Sequence, residues 1–544
     1  MPERSDLVVL ASTILTPTAL DGGALDAAFI AIRDGQIVAI GDAHAADEWM
    51  ASAERTIDLG DATITAGLVD AHIHPIMGLT MARGLDFSGI TDRAEARELL
   101  RVHLSEIDPD GWVLGWGLDP AVFEGGAFDN TLFEGIAEDR LIFLTLFDGH
   151  SALVSRPALE AAGVTGTETF PDSARVGVDE TGRPTGMLFE LSAQALVRAV
   201  LPELSFDDRV DALGALLRSM AETGLTGGQM LDLGAEDTFE VLEELERRDE
   251  LAIRLRISPW IMPGHTTDDL EASAALQGTA GRRWHVDGIK LMIDGTVDNG
   301  TAWLFEPDTH GESTESLWLD PEEYAAALSF FHERGIRTAT HAIGDHGISF
   351  VARSIAAQPA NGTIHRIEHI KTLPDQVLDE IIAAGAAASM QPTHCALYTR
   401  ADQTDNWSMR LGHERADRAW RTRDLRERGA IVALGSDWPV APFDPRAIIA
   451  AAQLRRPAGR DDIEPVRPDQ ALTAVRALEG YTSEYWRSVG EPGGVLAVGA
   501  RADLTAFADN PLVTDPDAFA TSPVLLTVVD GTVVVDRTVV VDRT

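Results

Sequence analysis

His72 and His74 stand one residue apart at the end of an apolar run, in Asp70-Ala71-His72-Ile73-His74-Pro75. In an extended strand residues i and i+2 face the same way, so both imidazoles would point to one side, as two ligands of one metal ion must. A lone His-x-His is common by chance, but Pro75 stops this strand directly behind the pair. Four more ligand-capable side chains end other apolar runs. They are Lys290 in Gly-Ile-Lys-Leu-Met-Ile, His341 after Thr338-Ala339-Thr340, His369 after Ile367-Glu368, and Asp437 after Val432-Ala433-Leu434-Gly435-Ser436. Taken singly, each reads as well as a core histidine bonded to backbone or an aspartate capping a helix. A free ammonium at position 290 would be costly to bury. Six such groups at strand ends point to one shared task, and metal binding is the chemistry common to them all.

Groups so far apart along the chain need a fold that gathers strand ends. Short apolar runs at 63–74, 225–230, 253–260, 286–293, 337–341, 365–370, 387–392 and 431–437 alternate with amphipathic helical stretches. That alternation predicts an α/β class fold with eight parallel strands, a (β/α)8 TIM-like barrel with its chemistry at the strand C-terminal ends. The barrel is expected over residues 66–494. The gap between the first two runs far exceeds an ordinary strand–helix connection, so an inserted α/β subdomain is expected at about residues 85–210. Residues 1–65 and 495–544 read as short strands, with hairpins turning at Asp34-Gly35 and Asp530-Gly531, and should meet in one composite β-sandwich. The chain closes on Asp-Arg-Thr-Val-Val-Val-Asp-Arg-Thr, a duplicated unit read as a frayed end.

Composition removes several classes of function. The 544 residues hold 87 Asp and Glu against 44 Lys and Arg, a formal net charge of −43. Such a field repels nucleic acid and anionic membranes, which leaves a small molecule as the expected partner. Only Lys290 and Lys371 are lysine, and an acidic, lysine-poor surface suggests a high-salt interior. The lone Cys395 excludes a disulfide framework and a cysteine-based zinc knuckle. No apolar run reaches about 18 residues and the N-terminus lacks a secretory pattern, so a cytoplasmic location is expected. Neither a Walker phosphate loop nor a Gly-x-Ser-x-Gly elbow is present. A homodimer is the default assembly.

The order His-x-His, Lys, His, His, Asp resembles that of the amidohydrolase superfamily, across essentially the whole chain. Finer features are similar to its branch of N-substituted formamide deformylases, amidohydrolase family 3. They are Gly-Leu-Val-Asp-Ala-His-Ile-His at 67–74, Asp148-Gly149-His150, Lys290 to Asp294-Gly295, His341-Ala342-Ile343-Gly344-Asp345, Gln391-Pro392-Thr393-His394, and Gly435-Ser436-Asp437-Trp438-Pro439-Val440. Pro492-Gly493-Gly494 through Ala502-Asp503-Leu504 completes the set.

The resemblance implies that His72, His74 and Asp437 hold one divalent metal and His341 and His369 a second, with Lys290 between them as a carbamate. Arginine could not be carboxylated, because its guanidinium offers no free nucleophilic nitrogen. Zinc suits the mixed imidazole and carboxylate set best, with one or two ions per chain. Such a pair can share a hydroxide and polarise a carbonyl, with Asp437 as general base and then acid. His150 and His394 match positions near the mouth and could bind substrate or oxyanion, or simply pack. Asp294 could orient Lys290 or its own loop.

The implied reaction is hydrolysis of a non-peptide C–N bond: an amide, N-substituted formamide or cyclic imide. Ester or lactone hydrolysis by the same metals stays open. Purine- or pyrimidine-type deaminases typically lack the strand-4 lysine and carry a general-acid Glu near strand 5, the reverse of this chain. A catalytically dead scaffold should have lost a ligand, and all six are present.

Overall fold

The computed structural model describes residues 4–17, 28–105, 107, 108, 111–123, 128–232 and 237–538. The terminal hairpins form where both turn residues tolerate positive φ. Asp34 and Gly35 lie at +49° and +72° and join Phe29–Arg33 to Gln36–Gly41, while Asp530 and Gly531 lie at +50° and +72° and join Val524–Val529 to Thr532–Asp536. The first hairpin belongs to a four-stranded sheet with Ser5–Leu10 and Ala53–Asp58. The second belongs to a five-stranded sheet in which Thr63–Ala66 pairs antiparallel with Leu504–Phe507. Leu7, Val9, Ile30 and Ile32 of the first sheet share one core with Ile64, Leu504, Leu526 and Val528 of the second, so both chain ends pack together. The end of the duplicated tail, 539–544, lies outside the described residues, as do 1–3.

Eight parallel strands carry the rest: β1 (Leu68–Ile73), β2 (Leu225–Met230), β3 (Arg254–Ile257), β4 (Ile289–Met292), β5 (Thr338–Ala342), β6 (Arg366–His369), β7 (Ala387–Met390) and β8 (Val432–Leu434). They form two sheets, β1-β2-β3 with a short outer strand Trp284–Val286, and β4-β5-β6-β7-β8. Isolated parallel bridges Ile73–Trp438 and Trp260–Lys290 link the sheets at either side, which orders the strands as in a TIM-barrel-type α/β fold. Nearly every strand residue is buried, as expected when both faces are covered.

Two of the expected strands are each two. The run 63–74 breaks at Gly67, where the chain leaves the terminal sheet for β1. A Cβ there would stand 2.4 Å from Thr226 Oγ1 and 2.8 Å from Asp503 Cβ, so only glycine fits the crossing. The run 286–293 breaks at Gly288, φ +90°, into Trp284–Val286 beside β3 and β4 beside β5. Hydropathy is continuous through both breaks, and only the change of hydrogen-bonding partner exposes them.

Between β1 and β2, residues 85–189 build a six-stranded mixed sheet in the order Arg175–Val178, Pro184–Phe189, Ser151–Val154, Ile142–Leu146, Val113–Leu118, Leu85–Asp86. It has cores of its own, around Phe87, Leu100 and Leu144 on one side and Phe143, Val154 and Leu188 on the other. Its turn at Asp148-Gly149-His150 reaches over the strand ends. Two helices frame the opening: α1 (Pro75–Met81), begun by Pro75 directly after His74, and α2 (Glu190–Arg198).

Candidate metal centre

His72 ends β1 fully buried, and its tautomer is set from behind. Its Nδ1 donates to Glu368 Oε2 at 2.8 Å, and that carboxylate is held in turn by Arg366, Nε to Oε1 at 2.9 Å and Nη2 to Oε2 at 3.0 Å. The Nε2 lone pair therefore faces inward, where His74 Nε2 lies at 3.1 Å, Asp437 Oδ1 at 3.2 Å and Lys290 Nζ at 3.4 Å. His369 is oriented likewise, its Nδ1 donating to Gln391 Oε1 at 2.8 Å, which leaves Nε2 free. His341 is turned the other way: its Nε2 donates to the Gly295 carbonyl at 3.1 Å, leaving Nδ1 as the lone-pair nitrogen. Ring centroids run 4.8 Å from His72 to His369 and 4.5 Å from His369 to His341. All six side chains singled out in the sequence are thus buried around one point.

Burial, reinforced by neighbouring imidazoles and Lys290, holds His72, His341 and His369 well below the usual histidine range. They are neutral, the state in which imidazole is a ligand. Burial also draws the Lys290 ammonium down to about 8, against the pull of Glu368 and Asp437. Burial would raise Asp437, but the hydrogen bond from His74 and the charges of His394 and Lys290 outweigh it, so its carboxyl stays low and ionised.

Donor atoms of His72, His369 and Asp437 lie within 4.8 Å of one another. The lone pairs of His72, His341 and His369, each fixed by a hydrogen bond on the far side of its ring, fit a bound cation and suit nothing apolar. A second group among the described residues, His285, Asp287 and Glu491, meets the same distance test. Its carboxylates are already taken, Asp287 by Arg256 and Arg337 and Glu491 by Arg256 at 2.9 Å.

Backbone strain collects at the same place. His369, Ile370 and Asp437 have φ of +73°, +47° and +61°, in the left-handed region that non-glycine residues avoid. Asp437 is secured there by its N–H on the His72 carbonyl at 2.8 Å. Asp70 braces the pair of strands, Oδ1 accepting from His72 N and Ser436 N at 3.0 Å each, and burial pushes its carboxyl up to about 7.

Asp294 does not reach Lys290. Its Oδ1 accepts from Ile343 N at 3.0 Å and its Oδ2 from Gly344 N at 2.8 Å and Trp303 N at 2.9 Å, so it ties together the loops after β4 and β5.

His150 arrives from the inserted sheet, its ring 4.8 Å from that of His341, with Nδ1 at 2.8 Å from Glu190 Oε2. Burial lowers its basicity, but Glu190 and Asp148 more than restore it, and the net shift is upward. His394 lies in the first turn of the helix after β7; among the described residues neither ring nitrogen is within hydrogen-bonding geometry of a partner, and Nε2 lies 3.7 Å from Asp437 Oδ2. The narrow space above the cluster is walled by Met77, Met81, Leu191, Trp260 and Met292. Sequence reasoning missed Glu368, Gln391 and Glu190. Glu368 carried a usable signal, a glutamate in mid-strand beside a ligand, whereas Gln391 and Glu190 meet their histidines only across elements.

The sequence profile of the amidohydrolase family matches residues 55–535. The chain belongs to the amidohydrolase family. Over 513 residues this amidohydrolase is 26% identical to YtcJ of Bacillus subtilis, with 92% of this chain and 95% of that one covered. It is 23% identical to the N-substituted formamide deformylase of Arthrobacter pascens, over 98% of each chain. An uncharacterized metal-dependent hydrolase from Pyrococcus horikoshii shares its fold, with a TM-score of 0.71, 22% identity, and coverage of 94% and 99%. As a member of this family the chain is a hydrolase, and its buried histidine and aspartate donors fit a metal ion. Among its described residues no helix is long and apolar enough to cross a membrane.

Proposed function

We propose that this amidohydrolase cleaves a non-peptide C–N bond of a small molecule in the cytoplasm: an amide, N-substituted formamide or cyclic imide. One observation carries the reading. Lys290, one of two lysines in an arginine-rich chain, lies buried with its amine 3.4 Å from the inward lone pair of His72. Beside dications an ammonium is repelled, whereas a carbamate formed from CO2 supplies a negative charge and two oxygens. His72, His74 and Asp437 would hold one divalent ion, His341 and His369 another, with carboxylated Lys290 between them; imidazole and carboxylate donors suit zinc best. Bound there, the metal supplies Lewis acidity toward the substrate carbonyl and acidifies water.

The chain's own residues do the rest. Asp437 accepts a proton from the attacking water and returns it to the departing nitrogen, so an amide yields a carboxylic acid and an amine. His394 faces Asp437 and offers the substrate oxygen a partner. His150, kept basic by Glu190, stands beside His341 as a second donor. The methionine and tryptophan wall excludes bulk water and accepts an apolar substituent.

The test combines metal analysis with a substrate panel. Purified protein is expected to carry one or two divalent ions and to hydrolyse compounds from an N-formyl, N-acyl and cyclic-imide set. Lys290→Ala should lose metal and activity and regain part of both with a short carboxylic acid, while Lys290→Arg should not. Full activity and full metal content in Lys290→Ala would overturn the bridging role.

A further inference from the structure

A cleft of about 810 Å³ adjoins the metal centre and shares Met77, Leu191 and Trp260 with its wall. That volume is ample for a substrate's non-reacting portion. Helix α2 runs from one space to the other. At its first turn Glu190 holds His150 and Leu191 lines both cavities; Gln194 Nε2 donates to the Gly149 carbonyl at 3.0 Å; Arg198 ends the helix. The seven steps from Leu191 to Arg198 span about 10 Å along the axis.

Arg198 is the anomaly in this cleft. It lies over the Phe143 ring, 4.8 Å from the centroid, and its Nη2 donates only to the neutral Gln194 Oε1 at 3.1 Å and Thr145 Oγ1 at 3.4 Å. No carboxylate pairs with it among the described residues, although carboxylates outnumber cations twofold in the chain. Burial lowers its basicity to about 10, which still leaves a cation at neutral pH. Half-buried at the cleft wall, the guanidinium has N–H groups left for a ligand, and a carboxylate there would supply the missing counter-charge. Arg83 lines the same cleft and donates to the Pro202 carbonyl at 3.2 Å. The cleft's own carboxylates are otherwise placed. Asp237 pairs with Arg209, Asp232 takes the Met77 N–H at 3.0 Å near His74, and Glu203 lies exposed at the rim.

We propose that Arg198, assisted by Arg83, binds a carboxylate on the substrate, so that this enzyme acts on N-acyl or N-formyl compounds carrying an acid group on the portion that enters this cleft. The proposal rests on the C–N hydrolase reading for its reaction but not for its binding site. In a molecule of net charge −43 an anionic substrate needs direct cationic contacts to be held against the general repulsion. The guanidinium fork, unlike a lone ammonium, also matches a carboxylate in two contacts.

Two measurements test it separately. Titration calorimetry of the metal-loaded protein with phenylbutyrate and the neutral phenylbutyramide should show the acid binding at least about tenfold tighter. Arg198→Met and, to a lesser degree, Arg83→Met should bring the two probes together. If acid and amide bind alike to the wild type, or if the acid's advantage survives in both variants as it would with the carboxylate on the metal, the proposal falls. The second arm compares kinetics on N-formylaminooctanoate and N-formyloctylamine. Arg198→Met should raise KM for the acid by about tenfold relative to the neutral compound. Turnover of neither formamide would count against the reaction assigned above, while the binding arm would still judge Arg198.

Discussion

Glu368 shows how much of the metal centre depends on a residue that touches no substrate. It accepts from His72 Nδ1 and from two guanidinium nitrogens of Arg366, whose Nη2 also donates to the Ala71 carbonyl at 2.7 Å. The carboxylate therefore fixes both the ring angle of His72 and the proton on its far nitrogen. Glu368→Gln keeps the shape but removes the charge and sets an amide N–H2 among donors. We expect metal affinity to fall by about 10- to 100-fold with the fold retained, read by competition with a chromophoric chelator. Equal affinities in variant and wild type would show that the Nε2 lone pair of His72 needs no such support.

Between elements, a pair of histidines joins the helix Pro321–Glu333 to β5 and β6. Thr338 N–H donates to His365 Nδ1 at 3.1 Å, so His365 carries its proton on Nε2 and passes it to His332 Nδ1 at 2.9 Å; His332 Nε2 in turn donates to the Pro359 carbonyl at 2.7 Å. A second proton on His365 would oppose the Thr338 N–H. Burial, with His332 and Arg337 nearby, accordingly lowers His365 from 6.5 to about 4. The unfolded chain takes up that proton first, so the contribution is whole above about pH 6.5 and is lost as pH falls toward 4. Between those limits this one site should cost about 2 to 3 kcal/mol of stability. Urea unfolding of wild type and His365→Gln at neutral pH and near pH 4.5 checks it. The wild type should lose that much more than the variant, and parallel losses would remove His365 from the acid limit.

At the scale of the molecule, charge dominates. The formal net of −43 is unevenly relieved by arginines, many of them paired on exposed surface, as Arg101 with Glu98 and Arg460 with Asp462. Exposed pairs of this kind contribute little each, so they do not offset the mutual repulsion of the remaining carboxylates. Concentrated salt does, since the Debye length shortens to about 3 Å at 1 M. We expect the thermal midpoint to rise steadily from about 0.05 M to about 2 M KCl. A midpoint equally high at the low end would mean that the acidic surface is merely compositional.

The strand ends and the side chains that close them were legible in the sequence because both are local: short apolar runs, Pro75 behind His74, and ligand-capable residues ending five of those runs. The terminal hairpins were legible for the same reason, through two Asp-Gly turns. Tertiary structure alone decided the breaks at Gly67 and Gly288, where a strand changes partners without changing hydropathy. It alone brought Glu368, Gln391 and Glu190 behind their histidines, turned Asp294 away from Lys290 toward the loops, and left Arg198 in a cleft with no paired carboxylate among the described residues. Those are facts about which side chain meets which across elements far apart in the chain. A single sequence records what each residue can donate or accept, and only packing selects the partner.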